Sequence, residues 1–138
     1  LIKRFAFYRL DRIKESCKSN ECINKNEMMM RADTVVQKLW GVSLGKENYI
    51  EKLEMTVRIA NGEEYILKRL EREKRNGTIQ KLANGDYKFR AEVYDASEMV
   101  PWIKTFTGRI VEIKCSNERV EKQIKEDFEM MKRIYEVR

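Results

Sequence analysis

The stretch Thr78–Tyr94, TIQKLANGDYKFRAEVY, decides the fold class. Two runs suited to strands, Thr78 to Leu82 and Tyr87 to Tyr94, flank Ala83-Asn84-Gly85-Asp86. Asn-Gly is the strongest short hairpin signal, because both central residues of a tight two-residue turn need positive φ. In the second run Tyr87, Phe89, Ala91 and Val93 alternate with Lys88, Arg90 and Glu92, so one face is apolar and the other charged.

The same period extends upstream. Leu53, Met55, Val57 and Ile59 alternate with Lys52, Glu54, Thr56 and Arg58, a strand buried on one face. Asn61-Gly62 then turns the chain into a helix carrying Ile66, Leu67 and Leu70, with Glu64–Lys68 and Glu71–Arg75 at four-residue spacing, and Asn76-Gly77 ends it. Downstream, a helix is predicted around Ser97 to Phe106. Asp95 and Glu98 are spaced as a capping box, and Pro101 places the regular start near itself. Gly108 closes that helix and Arg109 to Lys114 reads as a short strand. Ser116 is the expected cap of a last helix with the stripe Val120, Ile124, Phe128, Met131 and Ile134/Tyr135. The order strand, helix, strand, strand, helix, strand, helix predicts an α+β domain over 49–138. Its first six elements match the ferredoxin-like split βαβ plan, an antiparallel four-stranded sheet with both helices on one face.

Ahead of this domain, Phe5 to Lys14 reads as a strand, with Phe5, Phe7 and Ile13 at odd positions and Arg4, Tyr8, Leu10 and Arg12 at even ones. Arg9 and Asp11 interrupt the apolar face, so either they pair with each other or a bulge resets the register. A lone strand is not stable, so its sheet partners are expected before Leu1. The chain begins on Leu rather than Met with this pattern already running, and it reads as a piece of a longer protein. A polar connection follows. Asn26 is then the expected cap of a helix with apolar positions Met28/Met29, Ala32, Val35/Val36 and Leu39/Trp40, stopped by Gly41. Ser43 to Asn48 reads as a linker. The Met28–Trp40 face and the Val120–Tyr135 stripe both need cover, so at least one is expected to pack on a second copy or a neighbouring domain.

Composition narrows the chemistry. The 138 residues are 42% apolar and 38% charged, which describes a soluble globular chain, and no apolar run approaches the ~20 residues of a membrane helix. Histidine is absent, which excludes Ser-His-Asp and Cys-His machinery, a histidine general base and histidine metal ligands. The three cysteines, at 17, 22 and 115, are odd in number and accompanied by no signal peptide, so a reducing, cytoplasmic setting is expected. No second Cys or His pair completes a zinc site, and Cys115 reads as filling a strand end. The glycines are isolated turn residues rather than a phosphate loop. Asp86-Tyr-Lys-Phe-Arg-Ala91 lacks the Gly-aromatic-Gly order of an RNA-recognition motif, so Tyr87 and Phe89 read as core. Glu63/Glu64 and Glu71/Glu73 lie on charged helix faces. No enzyme activity, cofactor or metal is expected.

Net charge is +6, unevenly spread. Residues 1 to 20 hold six Lys or Arg against Asp11 and Glu15, a net of +4, leaving +2 for the other 118. An anion-binding surface is therefore best sought near the N-terminus, where scattered solvated side chains on an edge strand are the plainer reading.

Phe5-Ala-Phe-Tyr-Arg-Leu-Asp-Arg-Ile13 resembles the last barrel strand of the WYL domain of bacterial transcription regulators. The helix ending Leu39-Trp40-Gly41-Val42, the Asn84-Gly85-Asp86-Tyr87 turn, the stretch Glu98-Met-Val-Pro-Trp102 to Gly108 and the closing helix are similar to that family's C-terminal extension. Cys115-Ser116 departs from the family, many members having a proline there. The resemblance implies that 1–25 is the tail of an SH3/Sm-like barrel, 26–48 a linker helix and 49–138 the extension. The Trp-Tyr-Leu motif and a DNA-binding helix–turn–helix would then lie before Leu1. It further implies effector sensing, of single-stranded nucleic acid or a nucleotide, and dimerisation through the C-terminal half. Arg12 is then the best candidate ligand contact, with Arg9, Arg4 and Tyr8 beside it. Arginine suits this role because its planar fork binds phosphate through paired hydrogen bonds. The alternatives are that Arg12 merely pairs with a carboxylate, and that the chain is a ferredoxin-like protein–protein interaction domain without a ligand.

Overall fold

The computed structural model describes residues 5–46 and 49–136. Four strands, β1 (Glu51–Val57), β2 (Thr78–Lys81), β3 (Tyr87–Val93) and β4 (Ile110–Cys115), form one open antiparallel sheet in the order β2-β3-β1-β4. This is an α+β arrangement compatible with the ferredoxin-like plan. The alternation seen in the sequence decides which side is dry. Leu53, Met55 and Val57 of β1 have no exposure and join Phe89, Ala91 and Val93 of β3 and Ile113 and Cys115 of β4 in one core cluster. The register shifts at Thr56/Val57, which skips Val111 and leaves that side chain half exposed.

Three helices supply the other wall of the core. Ile66 and Leu70 come from α2 (Glu64–Glu73), Val100 and Ile103 from α3 (Val100–Lys104), and Val120 and Ile124 from α4 (Glu118–Glu136). Pro101 lies in the first turn of α3, where its missing N–H has no partner to lose. A 3-10 turn, Ala96–Met99, leads into it and is capped by Asp95, which accepts the Ser97 N–H.

Several local expectations are corrected. The hairpin is not a two-residue turn with two positive-φ residues. Leu82 and Asp86 close it, and among the described residues of the loop Gly85 alone has positive φ, at 89°. This is the three-residue form, in which a glycine bulge follows the turn. Glu98 does not reach back to close a capping box. Its carboxylate accepts the N–H groups of Gly41, Val42 and Ser43. Ser116 does not cap α4, because its hydroxyl accepts the Lys52 N–H while Asn117 Oδ1 accepts from Arg119 N–H. The helix at the linker is α1 (Lys25–Val36), capped by Asn24 rather than Asn26, and it ends before Leu39 and Trp40.

The largest correction concerns residues 5 to 14, which form no strand. Phe5 to Arg9 is irregular and Leu10–Arg12 is a 3-10 turn. The physical reason is local: among the described residues no strand pairs with this segment, and the Arg9 guanidinium folds onto Asp11 at 3.0 and 2.6 Å. The sequence had posed that pairing against a bulge. Arg4 lies outside the described residues.

Gly77 is required by contact rather than by φ. A Cβ there would stand 2.3 Å from the ring of Phe89. Gly77→Ala is therefore expected to cost roughly 1–3 kcal/mol, as overpacking does, read as a lowered urea midpoint at unchanged slope. Ionic contacts give a second expectation. The Arg58 hydrogen bonds hold the Asp86 carboxyl below its ordinary pKa, and the Arg109 hydrogen bond does the same for Glu63. A carboxyl whose folded pKa is depressed contributes stability above its unfolded value and loses it as pH falls through the folded one. With no histidine in the chain, the urea midpoint should stay flat from about pH 5.5 to 7.5 and fall below about pH 4.

Candidate functional site

The basic arm that the sequence singles out lies outside the core. Tyr8 is 78% exposed, Arg12 is exposed, and Arg9 and Asp11 are spent on each other in a solvent-facing pair. The 3-10 turn at Leu10–Arg12 breaks the even-numbered alternation, so Tyr8 and Arg12 are not held on one strand face. The arm touches the rest of the chain at Phe5, whose ring lies under the Arg31 guanidinium of α1 at 5.7 Å. Phe7, Leu10 and Ile13 remain exposed. Chemically, the arm offers a cation and an aromatic ring in water, a combination that suits a phosphate and a stacked base. It is not a preformed pocket.

The sheet does not present a stacking platform. Phe89 has no exposure and faces the core, and the opposite face carries Glu54, Lys88 and Arg90, with Glu54 bridging to Lys88 at 3.5 Å and to Arg90 at 2.8 Å. Lys114 and Glu112 pair beside them at 2.8 Å. The face is thus charged but largely self-neutralised, and such exposed pairs contribute little to stability.

Trp40 takes a role that helical spacing did not show. It leaves the line of α1 and enters the domain core at 6% exposure, 4.9 Å from Trp102 and 6.4 Å from Phe89 between ring centroids. Arg75 covers its outer side at 5.0 Å, and Arg75 itself holds φ at 50°, a left-handed conformation that a non-glycine residue rarely adopts. At the other end of the aromatic row, Phe106 meets Trp102 at 5.1 Å and lies under Arg69. The Trp102 indole N–H donates to Glu73, which also accepts from Arg69 and Arg72. Gly41 beside Trp40 was the sequence signal for this junction. The Glu98 contact was legible only as a capping box.

A cavity of about 290 Å³ opens between Gly108, Ile110, Phe128, Met131 and Tyr135, where the last turns of α4 overhang the start of β4. Beyond it the α4 stripe runs into solvent at Met130, Ile134 and Tyr135. Among the described residues no helix is long and apolar enough to cross a membrane, and no group of three or more His, Cys, Asp or Glu side chains suits a metal ion. No protein-family model, curated protein or solved structure matches this chain.

Burial pushes the Cys115 thiol up, so it stays protonated at neutral pH and packs as a small apolar group at the end of β4. Cys17 and Cys22 are exposed. A water-soluble thiol reagent at neutral pH should therefore modify two cysteines promptly and the third only after denaturant is added. Three fast thiols in native buffer would contradict the placement of Cys115.

Proposed function

We propose that this chain is the effector-sensing and dimerising portion of a WYL-type transcription regulator. In this reading residues 1–25 are the tail of the sensor barrel, 26–48 a linker and 49–138 a ferredoxin-like extension, and operator DNA is held by a helix–turn–helix outside this chain. The effector is a single-stranded nucleic acid or a nucleotide. Arg12 contacts its phosphate, Tyr8 stacks on a base, and Arg4 and Arg9 add positive charge.

One observation carries this reading. Arg12 and Tyr8 stand in solvent within the most basic stretch of the chain, and the Arg9–Asp11 pair folds the residues between them into a turn. The exposed Phe7, Leu10 and Ile13 support it as well, because an apolar face of that size in a barrel strand is covered by neighbouring strands. A second reading, a ferredoxin-like interaction domain with no ligand, is favoured by the exposed Met130, Ile134 and Tyr135 on α4. That face is also where a second copy would pack if the chain is a homo-oligomer.

Anisotropy of a labelled single-stranded oligonucleotide, titrated with the chain at two salt concentrations, separates the two. Binding should weaken steeply with salt, and Arg12→Ala should weaken it further by about ten- to a hundred-fold, the size of one lost charge-assisted contact. Equal affinity for both chains, or no binding at low salt, would favour the interaction domain.

A further inference from the structure

We propose that Lys38–Gly45 is a latch, with the Glu98 carboxylate as its catch, so that α1 and the basic arm dock on the sheet domain and lift from it as one unit. The inference does not depend on what the arm binds.

The seat for this segment is a vacancy in the sheet. β2 pairs only with Tyr87 to Arg90, so the upper half of β3 has no strand on that side. Lys38 fills part of the gap: its carbonyl accepts the Tyr94 N–H at 3.0 Å and its ammonium pairs with Glu92 at 2.7 Å. The chain then turns, and three successive N–H groups close on one carboxylate. Gly41 N–H lies 2.9 Å from Glu98 Oε2, and Val42 and Ser43 N–H lie 3.0 and 3.1 Å from Oε1. The Ser43 hydroxyl donates to Asp95, from the same 3-10 turn, and in turn accepts the Gly45 N–H. Few other contacts add to this, the main one being Asn76 Nδ2 donating to the Gln37 carbonyl at 2.8 Å.

What lies upstream makes the segment separable. Among the described residues before Trp40 none is buried, and α1 places no side chain in the core. Trp40 is therefore the one core anchor of residues 5–46. The remaining attachment is hydrogen bonds to side chains of Glu98, Asp95 and Asn76 and to the end of β3. Local opening of such a segment exposes a single indole and leaves the strand ladder of the domain intact. Gly41 is built for the catch, since a Cβ there would stand 2.5 Å from Glu98 Oε1. The latch thus has two independent points of failure, one on each partner.

Hydrogen exchange followed by mass spectrometry tests this on the full chain. In the wild type, amides of residues 41–43 should exchange at least tenfold faster than those of β1, by an opening that leaves the sheet closed. Glu98→Ala and Gly41→Ala should each abolish their protection and shift tryptophan emission to the red, while β1 and β3 amides keep theirs. Glu98→Gln keeps an acceptor oxygen and should lose less. Exchange of 41–43 only together with β1, parallel loss of sheet protection in the variants, or retained protection in both would each overturn the latch.

Discussion

Phe89, at the centre of β3, has no exposure, and its ring is met from three directions. Trp102 of α3 packs on it at 5.1 Å and Trp40 at 6.4 Å, both near edge-to-face, and Gly77 closes against its far edge. Aromatic pairs of this geometry contribute roughly 0.5–1.5 kcal/mol each beyond the area they bury. The more telling consequence is positional. Seating this ring determines where α2 must end, why the residue leading into β2 carries no side chain, how α3 lies on the sheet and where the chain from α1 crosses the domain. Arg75 accepts a left-handed backbone at the end of α2 and lays its guanidinium on Trp40, where a glycine would have given the turn without the cover.

Carboxylates do the joining wherever regular backbone pairing stops. Glu51, at the buried start of β1, accepts the Ala96 N–H at 2.7 Å and the Asn117 amide at 2.8 Å, which ties the entry to α3 and the cap of α4 to one oxygen pair. Glu121 accepts the Cys115 N–H at the end of the edge strand β4. Glu98 does the same for Gly41 to Ser43. In each place N–H groups that would otherwise lack a partner meet an acceptor with several lone pairs, which is cheaper than leaving them unsatisfied. The domain holds its loops by ionic capping, and its sheet by apolar burial on one side only.

That division shapes where other molecules can meet it. The dry face of the sheet is closed by three helices, and the wet face is lined by charges that answer one another. The arm with its cations and the far end of α4 with its apolar stripe are left as the surfaces whose own chain does not satisfy them. They differ in kind, since the first attracts anions from a distance and the second gains only on contact.

The sequence by itself determined the elements of the sheet domain. Period-two alternation in β1 and β3 is a local consequence of one-sided burial, and the breaks at Asn61-Gly62, Asn76-Gly77 and Asn84-Gly85 are properties of a few adjacent residues. It also excluded histidine chemistry outright. Tertiary structure alone decided what depends on distant partners. Helical spacing placed Trp40 on the face of α1, because spacing cannot tell a continuing helix from a chain that leaves it to fill a distant aromatic pocket. Asp95 and Glu98 have the spacing of a capping box, yet Glu98 turns to residues more than fifty positions away, since N–H groups there offered it more bonds than its own helix start. Phe5 to Ile13 alternates like a strand and forms none, because a strand is made by its neighbour's hydrogen bonds and not by its own side chains.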